Sequence, residues 1–282
     1  MARRLYVDGP FGQVHLRLAG RQAGDCPPLL CFHLSPLSSR IYERFLDRIG
    51  SDRRLAIAID NPGFGMSDPP PAPPTIGDYN RAMLAVVAAL GLTGPVDVMG
   101  YHTGSMMAVD LAADRPDLVR RLVCVSAPIF TASEQAAMQT HYAPVPPRLD
   151  GGHLVERWQG FVHHYLGRGL TLDDVADMFP ERLLGRRLSW WGHHAAFTHA
   201  PDMRLPEIDQ PLLVLNPDDD LQVETRRAAD LIRNGRILDM PGWGHGFLDG
   251  FTEDAARLVT SFLDSVDPFG ALAVPPGSQQ QR

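Results

Sequence analysis

Three positions in this 282-residue chain combine residue types that carry out acid–base chemistry. His102 lies between two glycines in Gly100-Tyr101-His102-Thr103-Gly104, where an apolar run turns into a segment of small residues. Asp220 ends a run of three aspartates, and His245 lies in the glycine-rich loop Gly242-Trp243-Gly244-His245-Gly246. A carboxylate that accepts a hydrogen bond from an imidazole fixes the tautomer of the ring and stabilises the imidazolium. These side chains therefore predict a site for proton transfer or nucleophilic attack.

The role of His102 has three interpretations. Neutral imidazole is well populated at neutral pH, so His102 can be a nucleophile that forms an acyl-imidazole, which water then clears. Alternatively, His102 and His245 form an acid–base pair without a covalent intermediate, since two nearby imidazoles titrate together. That pair suits a lyase or an isomerase. Finally, the pocket can bind a ligand without catalysis, because fold does not fix function.

The elements that must position these residues follow from the hydrophobic pattern. Short apolar runs alternate with helical patterns, which predicts an α/β protein with a mostly parallel, doubly wound sheet. Besides the run that enters Gly100, strands are predicted over 12–19, 29–34, 55–59, 122–126, 211–216 and 236–240, with a hairpin partner around 5–7. Helices are predicted over 41–49, 78–90, 222–232 and 253–266.

This alternation breaks between residues 129 and 204, where the pattern is helical and rich in aromatic residues. An insertion after the sixth strand predicts a helical lid over the carboxyl edge of the sheet, where open α/β sheets bind ligands. We therefore expect a core of residues 1–128 and 205–267, a lid of residues 129–204, and a disordered tail over 268–282, which is rich in Pro, Gly and Gln.

Composition narrows the function classes. The formal charge of −7 argues against a nucleic-acid partner. No apolar run approaches the length of a membrane span, and the amino terminus lacks the apolar region of a secretory signal. The three cysteines, Cys26, Cys31 and Cys124, are an odd number without metal-site spacing. We expect a cytoplasmic protein with free thiols, a small-molecule substrate and no membrane partner, with a homodimer as an open possibility.

Neither a cofactor nor a metal is expected. Gly63 and Gly65 do not form a dinucleotide fingerprint, because no helix opens there with the required spacing. His193, His194 and His199 invite a zinc site, but no cysteine or carboxylate spacing accompanies them.

Four segments in order resemble the α/β-hydrolase fold superfamily, in particular its lidded esterases, epoxide hydrolases and carbon–carbon bond hydrolases. The segments are Leu30 to Pro36, where the family usually has His-Gly; Asp60 to Ser67, which matches its D-x-x-G-x-G-x-S turn; the turn around His102, which matches the nucleophile elbow G-x-S-x-G; and the pair formed by Leu213 to Asp220 and Met240 to His245. The resemblance implies a hydrolase, with His102 in the place of the serine.

The resemblance also assigns roles. The family order of nucleophile, acid and histidine implies His102, Asp220 and His245 as the catalytic set, with the neighbouring Asp218 or Asp219 as the alternative acid. It implies backbone N–H groups of Thr103 and of Leu34 or Ser35 as donors to an oxyanion. His33 and Tyr101 are the neighbours expected to take part in substrate binding. In the family's His-Gly position this chain has His33-Leu34, and the lost glycine restricts the backbone that aims the first donor.

Overall fold

The computed structural model describes residues 1–21, 26–199, 202, 204–270 and 272. Within these residues, eight strands form one sheet in the order β1-β2-β4-β3-β5-β6-β7-β8. Strands β1 and β4 pair antiparallel with β2, and the remaining neighbours are parallel. The strands are β1 Arg3–Gly9, β2 Gly12–Ala19, β3 Leu29–Phe32, β4 Ala56–Ile59, β5 Val96–Tyr101, β6 Val119–Val125, β7 Leu212–Pro217 and β8 Gly235–Met240. The predicted fold class, a mostly parallel α/β sheet, is confirmed.

Helices cover both faces of this sheet because side chains alternate along each strand. Leu29 and Cys31 face the apolar cluster that contains α1 and α11, whereas Leu30 and Phe32 face the cluster that contains α2 and α3. The helices are α1 Glu43–Ile49, α2 Ile76–Ala89, α3 Thr103–Asp114, α4 Ala132–His141, α5 Gly152–Tyr165, α6 Leu172–Met178, α7 Glu181–Leu184, α8 Trp191–Thr198, α9 Gln222–Arg226, α10 Phe247–Gly250 and α11 Thr252–Asp264.

All four predicted helices differ from the structure at an end, and two of the differences have a visible cause. The helix expected from residue 41 begins at Glu43, because Ser38 accepts a hydrogen bond from the N–H of Arg40 and starts a 3-10 turn over 39–42. The helix expected over 222–232 winds as α9 and then tightens into a 3-10 turn over Arg227–Leu231. Both differences concern how the chain enters or leaves a helix, which periodicity does not encode.

Helices α4 to α8 lie between β6 and β7, and we call this segment, residues 129–204, the inserted helices. Its role as a lid stays a prediction. Of the predicted tail, residues 271 and 273–282 lie outside the described residues. No helix in the described ranges is long and apolar enough to cross a membrane.

Candidate active site

The turn between β5 and α3 places His102 at its tip. His102 has φ 48° and ψ −107°, a conformation that non-glycine residues seldom adopt. The flanking glycines make the turn possible: a Cβ on Gly100 would meet the carbonyl of Gly104, and a Cβ on Gly104 would meet the carbonyl of Phe32. The backbone of α3 therefore packs directly against the end of β3, and the imidazole is held above that contact.

His102 has a carboxylate partner of its own. Its Nε2 lies 3.0 Å from Oδ2 of Asp219, whose side chain is fully buried. Asp219 also accepts hydrogen bonds from the hydroxyl of Ser126 at 3.2 Å and from the N–H of Leu221 at 2.9 Å. Burial disfavours the charged form of Asp219, but the hydrogen bond and positive charge of His102 outweigh it, so the pKa of Asp219 is lowered. We call His102 and Asp219 the elbow dyad.

His245 is paired with the next aspartate. Its Nε2 lies 3.2 Å from Oδ1 of Asp220, whose side chain is 45% exposed, whereas that of His245 is 9% exposed. Burial opposes ionisation of Asp220, yet the hydrogen bond from His245 and the charge of His102 hold the pKa of Asp220 well below its usual range. We call His245 and Asp220 the loop dyad.

The two dyads meet edge to face. The ring centroids of His102 and His245 are 5.1 Å apart, and the ring planes are inclined at 83°. Tyr101 fixes this arrangement from below, because its hydroxyl donates to the carbonyl oxygen of His245 at 2.6 Å and its ring lies edge-on to His102. With Nε2 of each ring directed at a carboxylate, each Nδ1 is left for other chemistry. The two rings are close enough for a proton on one to affect the other.

The loop after β3 supplies the opposite wall. Leu34, Ser35 and Thr103 line the cavity beside the two imidazoles. The hydroxyl of Ser35 is buried and has no hydrogen-bond partner among the described residues. Thr103 is the first residue of α3, so its N–H has no intrahelical acceptor and lies at the positive end of the helix dipole.

His33 lies outside the cavity lining and is fully buried. Its Nδ1–H donates to the carbonyl of Leu34 at 2.7 Å, and its Nε2 accepts from the N–H of Asn61 at 2.9 Å. Burial lowers the pKa of His33, which keeps the ring neutral. Because the C=O and N–H of a trans peptide point in opposite directions, His33 directs the N–H of Ser35 away from itself. Neither His33 nor Tyr101 is among the residues that line the cavity, and both hydrogen-bond to neighbouring backbone. Their expected part in substrate binding stays a prediction.

The cavity lies between the end of the sheet and the inserted helices. It holds about 850 Å³ of empty space, open solvent at its mouth included. Apolar side chains dominate the lining, as is usual for small-molecule sites; they include Met106, Phe130, Met138, Phe161 and Phe197. His164 packs against His245 with ring centroids 4.9 Å apart, and burial followed by the charge of His245 lowers the pKa of His164.

Other hydroxyl and imidazole groups have structural partners. The Ser105 hydroxyl donates to the carbonyls of Gly100 and Val125, both at 3.0 Å, as its place one turn into α3 predicts. His193 stacks on Tyr142, and His199 lies 3.7 Å from Asp110, so these two histidines have separate partners.

Within the part of the chain that the structure describes, two sets of side chains could hold a metal ion. They are His102 with Asp219 and His245, and His164 with Asp220 and His245; the ligand atoms within each set lie within 4.8 Å of one another. Both sets are formed by the dyads and one neighbour. The hydrogen bonds already described account for the same geometry.

The structure thus brings together His102, Asp220, His245, Thr103, Leu34 and Ser35 around one cavity. It also pairs His102 with Asp219, which the sequence analysis kept only as an alternative acid for the catalytic set. Three consecutive aspartates were the visible signal. Motif spacing selects one acid for one histidine, so a second pair went unassigned.

Comparison with known proteins agrees with this architecture. A family model described as alpha/beta hydrolase fold matches residues 27–155. The enol-lactonase of Burkholderia xenovorans superposes with a TM-score of 0.76 at 17% identity, covering 93% of this chain and 100% of the other. An esterase of Rhodococcus sp. gives 0.76 at 23% identity, covering 94% and 98%. The chain therefore has the α/β-hydrolase fold.

Two proteins that this chain resembles in sequence are hydrolases by name. The 2-(acetamidomethylene)succinate hydrolase of Mesorhizobium japonicum is 32% identical over 115 residues, which are 41% of this chain and 40% of the relative. A bifunctional esterase/perhydrolase of Acinetobacter calcoaceticus is 23% identical over 257 residues, which are 86% of this chain and 93% of the relative. The chain thus aligns with less than half of the first relative and with most of the second.

Proposed function

We propose that this α/β-hydrolase hydrolyses an ester or a carbon–carbon bond in a small, largely apolar organic substrate, by water attack rather than through a covalent intermediate. The observation that carries the proposal is the side-by-side placement of two imidazoles, each with its own carboxylate. The hydrolase names of the relatives support the reaction class.

The elbow dyad is the general base. Asp219 holds the Nε2–H tautomer of His102 and leaves Nδ1 as the basic atom. A water molecule at Nδ1 loses its proton to His102 and attacks the carbonyl carbon. Asp219 then stabilises the imidazolium, as a buried carboxylate does for a catalytic histidine. Because Asp219 accepts three hydrogen bonds, its position is fixed before substrate binds.

The loop dyad is the general acid. His245 donates a proton to the leaving group, and Asp220 stabilises the ring in its charged form. Once the product leaves, the proton that His102 took from water passes to His245 and restores the resting enzyme. The edge-to-face contact places the proposed base and the proposed acid on adjacent sides of one reacting group.

The wall opposite the dyads stabilises the negative charge that develops on the carbonyl oxygen. The N–H of Thr103 at the start of α3, the N–H of Ser35 and the unpartnered Ser35 hydroxyl are the donors we assign. Preorganised donors of this kind contribute about 3–4 kcal/mol each to acyl-transfer transition states in other enzymes. The inserted helices act as a lid that excludes bulk water from the cavity.

Turnover of a chromogenic short-chain ester tests this function. p-Nitrophenyl acetate and butyrate are measured with the wild type, His102→Ala and His245→Ala. Ser105→Ala is the control, because its hydroxyl bonds to the carbonyls of Gly100 and Val125 and does not line the cavity. We expect both histidine variants to lose activity by at least about 10²-fold and the control to keep it. Full activity in His102→Ala would contradict the proposed base.

A second function, a lyase or isomerase that uses the two imidazoles alone, is favoured by the same pairing of rings and by the absence of a serine at the elbow tip. Product mass separates the two, because hydrolysis adds the elements of water and isomerisation does not. A protein that binds ligands without any turnover would be a receptor on this scaffold, the third alternative.

A further inference from the structure

A half-buried arginine lies in the cavity wall, and no acidic partner pairs with it among the described residues. Arg182, from α7, lines the cavity with Tyr142 and Tyr165. Its guanidinium makes no ion pair and no hydrogen bond within the described part of the chain, and its Nε is fully buried without a partner. The neighbouring acid, Glu181, instead accepts a hydrogen bond from the Ser38 hydroxyl.

A positive charge that is partly removed from water and has no partner is energetically unfavourable. Burial lowers the pKa of Arg182, with its two tyrosine neighbours acting in the opposite direction. Burial, followed by the charge of Arg182, also lowers the pKa of His193 to about 3, so that ring is neutral and adds no second positive charge. A buried charge normally has a partner of opposite sign. The residues that the structure describes supply no such partner for Arg182.

A second observation points the same way. A groove next to the cavity shares Arg182, Tyr142 and His193 with it and is lined in addition by Arg157, Arg186 and Arg187. No aspartate or glutamate lines this groove among the described residues. Such a positive surface is unexpected on a chain with a net charge of −7. Clefts lined by one sign of charge attract ligands of the other sign.

We infer that the substrate is an organic anion whose carboxylate binds Arg182 while its reactive bond lies at the two dyads, and that the arginine groove is its route of entry. A planar carboxylate matches the paired N–H donors of a guanidinium. Arg182 is close enough to act in this way: its charge acts on His164 and Tyr165, and both of those rings pack against His245. This inference rests on the proposed hydrolysis for its reactive end.

The end of the cavity that holds the two dyads disfavours a second carboxylate on the substrate. Asp219 and Asp220 are both ionised beside the imidazoles, so an anion would be repelled from that end. The substrate is therefore polarised, with one acidic end at Arg182 and an uncharged, reactive end at the dyads. A half-ester of a short dicarboxylic acid has this form.

The test compares charged and neutral esters of matched length. The ratio of kcat/KM for the monomethyl ester to that for the dimethyl ester is measured for succinate, glutarate and adipate. We expect the wild type to prefer the monomethyl ester of at least one length, and Arg182→Gln to reduce that preference by about a hundredfold. Arg182→Lys should restore part of it, since the charge returns without the paired donors. Arg233→Gln, an exposed arginine in the turn before β8, is the matched control.

The dependence of kcat/KM on ionic strength tests whether the arginine groove is the route of entry. Arg186→Gln combined with Arg187→Gln should lower kcat/KM for the monomethyl ester and weaken its dependence on ionic strength. A dependence equal to that of the wild type would remove the groove from the inference.

The carboxylate of a small substrate is distinguished from a phosphate by adding inorganic phosphate as a competitor: weak competition supports the carboxylate, and inhibition stronger than that by acetate contradicts it.

Failure of this inference and failure of the proposed function give different results. Turnover of the dimethyl esters with no preference for a charged ester at any length, unchanged in Arg182→Gln, overturns the anion site and leaves hydrolysis standing. If no ester is turned over, titration calorimetry with monomethyl adipate decides: binding that Arg182→Gln abolishes keeps the anion site while hydrolysis fails, and equal or absent binding in both proteins overturns the site.

Discussion

Replacement of Asp219 by asparagine separates the elbow dyad from every other feature of the site. The side chain keeps its shape, and its amide oxygen can still accept from Leu221, so the fold should persist. What disappears is the charge 3.0 Å from Nε2 of His102. Two charges about 4 Å apart interact by about 4 kcal/mol at an effective dielectric constant of 20, which corresponds to about a thousandfold in rate. We expect kcat for p-nitrophenyl butyrate to fall by that factor.

The neighbouring aspartates provide matched controls for the same chemical change. Asp218→Asn alters a side chain that accepts from the N–H of Gly242 and from Gln222 but touches neither imidazole, so its kcat should remain near that of the wild type. Asp220→Asn should cost about tenfold, because Asp220 is half exposed and its charge is screened by solvent. A kcat of Asp219→Asn within threefold of wild type, with unchanged thermal stability, would refute the role given to the elbow dyad.

Three further variants probe the site and its support. Gly104→Ala should destabilise the protein by about 3 kcal/mol in thermal unfolding, since the added Cβ meets the Phe32 carbonyl; Gly160→Ala, in open space on α5, should be neutral or stabilising, and equal losses would contradict the contact. Ser35→Ala should lower kcat by about 10²-fold and leave unfolding nearly unchanged, because its hydroxyl has no partner to lose; unchanged kcat would remove this donor. Burial raises the pKa of Asp249 to about 6, so its neutral form stabilises the fold below about pH 4 and that contribution is lost as the pH rises through 6. Asp249→Asn should therefore gain about 2–3 kcal/mol over wild type between pH 4.5 and 7.5 in urea unfolding, and a difference independent of pH would contradict this sign.

Residue patterns predicted the frame of this site well, because strand periodicity and turn glycines are local properties. The strand over 12–19, the glycine-flanked turn at His102 and the family order of Asp220 and His245 all follow from short segments of sequence. A local sequence pattern could not predict the orientation of His33. Its ring points inward and hydrogen-bonds to the backbone of Leu34 and Asn61, and that orientation depends on contacts between segments distant in sequence.

A local sequence pattern also could not predict the pairing of His102 with Asp219. The residues are separated by 117 positions, and one residue along the loop after β7 decides which carboxylate faces which ring. The unpaired state of Arg182 is likewise visible only in three dimensions, because Glu181 beside it in sequence is directed to Ser38. Sequence identifies the groups present; the fold decides how they are paired.

Mass spectrometry of the intact protein, quenched in acid within milliseconds of mixing with p-nitrophenyl butyrate, tests direct water attack. We expect the wild type to keep its unmodified mass throughout turnover, and His102→Ser, which regains a hydroxyl at the elbow tip, to accumulate a butyryl adduct. A butyryl group found on His102 of the wild type during turnover would contradict the general-base mechanism and make this imidazole the nucleophile.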